Sequence, residues 1–422
     1  MLTSVRHMSH VVRILVQYWV AVSLAVYGAA LLVSSPIWGL LADRIRNRRI
    51  PMLFGLVLLA GATVFLCLSS NIAMLLMGRT LQGFSAALTW TVGLALVIDT
   101  VDSKRIGVAT GWIGMSTSVA ILSAPLVGGV VYGHGGYYSV FAMCFGLLAV
   151  DIALRLIIVE VKEARRWLEP AEALPAVGDA SGVEQSKSGT AKGDEPVVTG
   201  ASSGDQLQAS RPSILRQMWT LLRKPRLLGA LWGTLVHALI QTSFDSILPL
   251  FVEETFGWNS TGAGLVFLPL VLPTFLSPLI GALGDRYGPK WLATGGFLLA
   301  TPFLVCLRFV ENDSINHIVL LCGLLVGIGV AIALVFGPLM AEITWTVQED
   351  HADSSVAPYA LAYGFYSMAF SGGALIGPIL GGMVRDSAGW PTVGWALAIV
   401  SFVTSITQLI WIGGPLRQGR SS

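Results

Sequence analysis

The sequence predicts an all-α membrane protein built from two pseudo-symmetric helical bundles, and two observations carry that expectation. The 422-residue chain is 54% hydrophobic and only 12% charged, against about 25% charged residues in an average soluble domain. Two stretches 242 residues apart also spell nearly the same thing. Ser35-Pro36-Ile37-Trp38-Gly39-Leu40-Leu41-Ala42-Asp43-Arg44 returns as Ser277-Pro278-Leu279-Ile280-Gly281-Ala282-Leu283-Gly284-Asp285-Arg286. A second echo follows each, at an offset of 253: Gly111, Ala120, Ala124, Pro125, Gly128 and Gly129 return as Gly364, Gly373, Gly377, Pro378, Gly381 and Gly382. Two long-range matches in the same order mean a duplicated unit.

A hydrocarbon layer of about 30 Å needs about 20 mostly apolar residues per helix. Such runs lie near 18–42, 52–70, 72–98, 107–132 and 138–160, and then near 227–252, 261–284, 290–309, 316–341, 357–384 and 390–413. The expected organisation is a five-span bundle over 1–160, a six-span bundle over 227–413 and a tail over 414–422. Between the bundles, 161–226 is rich in Ser, Gly, Ala, Glu and Lys and shows little apolar periodicity, which predicts a largely disordered linker. Five plus six is odd for a duplication. The repeat offset places the counterpart of Asp245 at Thr3, so the partner of the 227–252 helix would begin upstream of the chain. Residues 1–17 carry Arg6, His7, His10 and Arg13 and do not replace it. The expectation is about eleven spans with the opening helix missing, through a truncated start or a true eleven-span product.

Lys and Arg in short loops set orientation. Arg44, Arg46, Arg48 and Arg49, then Lys104 and Arg105, then Arg286 and Lys290 all fall on one side if helices alternate. That side, with the linker and tail, is expected to be cytosolic. The opposite loops hold two N-glycosylation sequons, at Asn259 and Asn312. A formal net charge of +2 gives no reason to expect nucleic acid. Cys67, Cys144, Cys306 and Cys322 lie inside apolar runs and suggest neither a disulfide frame nor a metal site. No metal-ligand cluster, nucleophile–base set or phosphate loop is present, so neither a cofactor nor an enzyme is expected.

With the repeated Gly-Asp-Arg turns in view, the chain resembles the major facilitator superfamily. It is most similar to the twelve-span drug:proton antiporter branch, near vesicular amine transporters and fungal multidrug or toxin exporters. The family's loop motif is matched by Gly39, Asp43, Arg44, Arg48 and Arg49, with Arg46 where a glycine is expected, while the second copy, at Gly281, Asp285 and Arg286, keeps Gly288 and Lys290. On physical grounds Asp43 and Asp285 either latch onto an arginine or the N-terminal end of a neighbouring helix, or simply end their own helices. The glycines and Pro378 at 364–382 match the family's antiporter motif at every position. The 111–129 copy, with Gly111, Pro125, Gly128 and Gly129, departs at Ala120 and Ala124. Small residues let backbones approach, and proline supplies a bend. The resemblance implies the major facilitator fold and export.

Charges inside a membrane helix ask for a partner or a task. Arg79, with Gln82 on the same face, resembles the family's fourth-helix arginine, which serves proton coupling; alternatively it snorkels to the interface. His237, Gln241 and Asp245 follow at i, i+4 and i+8 and share a face. Asp245 is the candidate proton or cation site, against a polar seam that only packs helices. Asp151 and Arg155 are four apart and are expected to pair. Tyr359, Tyr363, Tyr366 and Phe370 line one helix face, either as a cradle for a flat or cationic cargo or as a packed face, and Tyr27 is placed to reach the same cavity.

Where vesicular amine carriers have acids in their tenth and eleventh spans, this chain has Phe336 and Ser367. That departure argues against a monoamine and for a larger, neutral or weakly charged compound. The expected function is proton-coupled export of small organic molecules by alternating access, by a monomer in the plasma membrane or else in a vacuolar or vesicular one. The alternatives are a proton-coupled nutrient importer and a transport-dead regulatory relic.

Overall fold

The computed structural model describes residues 2–45, 48–157, 214–350 and 358–413. Among them are eleven helices long and apolar enough to cross a membrane, five before residue 158 and six after 213. The linker expected to be disordered falls mostly outside the described residues.

The first half contains α1 (Leu2–Arg44), α2 (Arg49–Cys67), α3 (Ile72–Thr100), α4 (Ile106–Gly135) and α5 (Tyr137–Ile157). The helix of α1 begins well upstream of the expected span, and its stretch long and apolar enough to cross a membrane is Val22–Arg44. Asn71 caps α3, its Oδ1 accepting from Met74 N at 2.8 Å. The pair foreseen on α5 forms, with Arg155 Nε 3.2 Å from Asp151 Oδ1.

The second half starts with a short amphipathic helix, α6 (Ile214–Leu222), inside the segment expected to be linker. α7 (Pro225–Phe256) follows, with Pro225 in its first turn, where a missing N–H costs nothing. The run at 261–284, expected as one helix, is a broken span. It comprises α8 (Ser260–Leu265), α9 (Phe267–Val271), a 3-10 turn over Leu272–Leu276 and α10 (Ser277–Tyr287). Pro269, Pro273 and Pro278 lie in this stretch. Each removes a backbone donor and crowds the preceding turn, so continuous α-helix is not sustained. α11 (Pro289–Cys306), α12 (Ile315–Asp350), α13 (Tyr359–Ala388) and α14 (Trp390–Trp411) complete the chain.

The two halves repeat each other in detail. α4 and α13 both end on a glycine with positive φ, Gly136 at 75° and Gly389 at 80°, a backbone region that other residues enter at a cost. Gly83 of α3 faces the backbone of α1 at Tyr27, and Gly329 of α12 faces the backbone of the broken span at Leu270. The halves meet along two seams, α1 against α13 and α10 against α4.

In the second half α7 lies along α13 and α12. α13 brings three glycines of the antiporter motif onto it: Gly373 against Leu235 and Ala238, Gly377 against Leu239 and Ser243, and Gly381 against Ser243. Ser243 Oγ donates to Gly377 O at 2.8 Å. Close backbone approach of this kind is how helices associate where lipid supplies no hydrophobic drive. In the first half, Gly128 and Gly129 face open space. An apolar groove between α3 and α4, lined by Trp90, Val97, Trp112, Ile113 and Ile121, is open among the described residues.

This packing makes a prediction about stability. Gly377→Ala pushes a methyl group into Leu239 O and Thr242, and overpacking costs about 1–3 kcal/mol. The melting temperature in detergent is expected to fall. Gly382→Ala, which meets nothing, should leave it unchanged.

Candidate functional site

Each seam is closed at its basic end by one carboxylate. The first turn of any helix leaves backbone N–H groups without partners, and negative charge is favoured there. Asp43, at the end of α1, accepts from Ala360 N at 3.1 Å and Leu361 N at 2.8 Å, in the first turn of α13. Asp285, at the end of α10, accepts from Gly107 N at 2.6 Å and Val108 N at 3.0 Å, in the first turn of α4. Gly107 and Val108 are the repeat equivalents of Ala360 and Leu361, so the contact occurs twice.

The motif glycines make the approach possible. A Cβ on Gly39 would strike Ala360 O, and one on Gly281 would strike Gly107 O. Gly364 lies against Ser35 and Pro36 just as Gly111 lies against Ser277 and Pro278. The side chain of Pro125 lies outside the described set.

Arg48, not Arg44, holds Asp43: its Nη2 is 3.1 Å from Asp43 Oδ1 and its Nε 3.2 Å from Asp99 Oδ2. Arg44 is exposed. Arg286 lies over the Tyr287 ring at 5.4 Å and is likewise exposed. Further hydrogen bonds cross between the halves. Gln348 Nε2 donates to Ser103 Oγ at 3.2 Å, Thr110 Oγ1 to Gly337 O at 3.1 Å, and the Thr274 and Ser118 hydroxyls are 2.6 Å apart.

Away from the latches, the α4 seam borders a cavity of about 50 Å³. His237, Gln241 and Asp245 all line it from α7, facing Thr117, Ser118 and Ile121 of α4. Phe336 of α12 and Phe267 of α9 complete the wall. Asp245 makes no hydrogen bond or ion pair with any described residue. A cavity of this size admits a few waters, whereas organic ligands occupy about 300–1,000 Å³. In this conformation the cavity has room for water but not for an organic cargo.

The remaining candidates lie elsewhere. Arg79 donates through Nη1 to Gln82 Oε1 at 2.9 Å, near the Gly83–Tyr27 contact of α3 and α1, and it does not line the Asp245 cavity. Tyr363 is fully buried, its hydroxyl 2.7 Å from Thr344 Oγ1. Tyr366 is buried beside it, with ring centroids 6.1 Å apart, and Tyr359 is half-buried at the start of α13. Among the described residues the aromatic column meets the cavity wall at Phe370, 6.5 Å from the His237 ring. Ser367 is buried. Asn259 is exposed and caps α8, accepting from Gly262 N at 3.0 Å, and Asn312 is exposed in a loop.

One ionic group escaped the sequence reading. Glu342 of α12 is fully buried, with Arg226 Nε 2.8 Å from its Oε1, and Arg226 also pairs with Glu349. Its signal was a carboxylate one residue beyond an apolar run, where it resembled an ordinary helix end.

Comparison with known proteins decides the family. The model described as Major Facilitator Superfamily matches residues 15–357 and 231–421. The chain belongs to the major facilitator superfamily. It is 33% identical to the MFS-type transporter ppzB of Metarhizium majus (strain ARSEF 297), over 97% of this chain and 94% of that protein. An uncharacterized MFS-type transporter of Schizosaccharomyces pombe, C18.02, is 31% identical over 93% of this chain and 86% of its own. The human synaptic vesicular amine transporter is 25% identical over 88% of this chain but only 62% of its own length. Among solved structures, the human organic anion transporter MFSD10 (TETRAN) superposes with a TM-score of 0.62, covering 92% of this chain and 83% of that one at 16% identity. This last likeness shows the fold. The paired seams are therefore those of a major facilitator transporter, an integral multi-pass membrane protein.

Proposed function

We propose that this transporter exports small organic molecules in exchange for protons, by alternating access between its two halves. The observation that carries the reading is the duplicated latch. Two carboxylates, each on a helix N-terminus of the opposite half, close the basic face, which the distribution of Lys and Arg makes cytosolic. Contacts made in one facing state and broken in the other give a two-state element that a ligand can bias.

Asp245 is the proposed proton site. A carboxylate that lines the cavity between the halves, itself exposed and without an ionic partner among the described residues, exchanges protons with whichever side gains access. Arg79 and Gln82 form a separate polar pair in the first half and tune that half's response. Cargo binds between the halves once the cavity widens. Phe336 and Phe267 beside Asp245 suit a largely apolar or weakly charged compound. The plasma membrane is the proposed location, with the sequon loops outside and the protein acting as a monomer.

The test uses proteoliposomes with an imposed pH gradient. Asp245→Asn is expected to abolish gradient-driven transport, while the thermal melt and the yield of folded protein remain those of wild type. Undiminished pH-driven transport by this variant removes Asp245 from the mechanism. Inverting the gradient is expected to reverse the direction of accumulation; co-accumulation with protons would indicate an importer instead.

A further inference from the structure

We propose that α6 and the residue after it form a docking surface for an anionic phospholipid headgroup on the basic face. α6 has two different stripes. Met218, Leu221 and Leu222, at i, i+3 and i+4, are turned onto the second-half core, and Leu221 is 2% exposed. Trp219 is turned away and is 59% exposed, with the Arg223 guanidinium 5.0 Å above its ring. A tryptophan at the water–lipid boundary places its apolar body among acyl chains and its N–H among headgroups. Arg223 is then held at headgroup level by the stacking.

The neighbouring charges identify the occupant as an anion. Lys224 pairs with Asp350, and Arg226 with Glu342 and Glu349. Arg223 pairs with no acid among the described residues and is exposed. Among the described side chains of this segment it is therefore the cation left for an outside partner, and the aromatic ring beneath it specifies one with a hydrocarbon body. A phosphate carried on a lipid satisfies both; a free phosphate satisfies only the first. This surface is separate from the proton site, so its test does not depend on the transport reading.

The full-length protein in detergent is titrated with phosphatidylserine or phosphatidylcholine, and bound lipid is counted by native mass spectrometry. Wild type is expected to retain phosphatidylserine in preference to phosphatidylcholine. Arg223→Gln is expected to weaken that retention about fivefold, the factor equivalent to about 1 kcal/mol per basic residue near a membrane surface. Trp219→Ala should weaken it too, whereas Lys104→Gln, an exposed basic residue on another loop, should not. Millimolar inorganic phosphate should fail to displace the lipid. Retention unchanged in Arg223→Gln overturns the proposal. So does an equal loss in Lys104→Gln, which would mean general surface charge, or displacement by inorganic phosphate, which would mean a free-anion site. All three altered side chains are exposed, and unchanged thermal melts confirm that folding is not the cause of any loss.

Discussion

Asp285→Asn is expected to open the basic face of the transporter without unfolding it. The wild-type carboxylate accepts from two consecutive N–H groups at the start of α4. Hydrogen bonds to charged groups contribute about 1.5–3 kcal/mol, and charge at the helix N-terminus adds to this. Asparagine keeps one acceptor oxygen but presents an NH₂ to the second donor. Losing about 2 kcal/mol from the closed state alone moves its equilibrium with the open state about thirtyfold. Spin labels at Ser103 and Gln348, which touch across the halves when the face is closed, report that equilibrium. Wild type should give a short distance and Asp285→Asn a large long-distance fraction.

Asp43→Asn should shift it further. Asp43 also carries Arg48, which then keeps only Asp99. If both variants keep the short distance, the carboxylates merely end their helices and the latch is wrong. The seam glycines provide an independent check. Gly281→Ala clashes with Gly107 only while the face is closed, so it should favour the open state while leaving folding intact, unlike Gly377→Ala inside one half.

The largest stability effect is expected at Arg226. Its partner Glu342 is fully buried, and only Oε1 has a partner in the structure. Removing one member of a buried pair leaves an uncompensated charge and costs about 3–5 kcal/mol. Arg226→Gln is expected to lower the yield of folded protein sharply and to reduce the melting temperature strongly. The double variant Arg226→Gln/Glu342→Gln should recover much of the loss, because two neutral amides can hydrogen-bond where a lone carboxylate cannot be solvated. A double variant as poor as the single one would show that Arg226 acts instead through Glu349 at the surface. Arg226 sits at the start of α7 and Glu342 near the end of α12. The pair thus pins together two helices that wall the cavity, which is why its loss should also reduce transport by whatever protein still folds.

The span count, the duplication and the two motifs were legible in the sequence because a bilayer leaves few alternatives. Backbone groups must be satisfied within a helix, and the apolar layer fixes how long that helix must be. The broken span at 261–284 shows the limit of this reasoning. Hydropathy marked the segment correctly, while its prolines decided that it is not one helix. The face shared by His237, Gln241 and Asp245 was also legible, since a spacing of four places side chains in register.

Tertiary structure alone decided what each face meets. Helical periodicity placed Tyr363 and Tyr366 together, but packing turned them into the core and left Phe370 as their link to the cavity wall. It put Arg79 with Gln82 away from the Asp245 cavity, and it gave Asp43 to Arg48 although Arg44 adjoins it in sequence. It also enclosed Glu342, which a linear reading takes for an ordinary helix end. The physical reason is common to all four. In a membrane, the faces turned to lipid and to protein are both apolar, so composition does not say which way a helix is rotated; only close contacts between small residues and the pairing of scarce charges do.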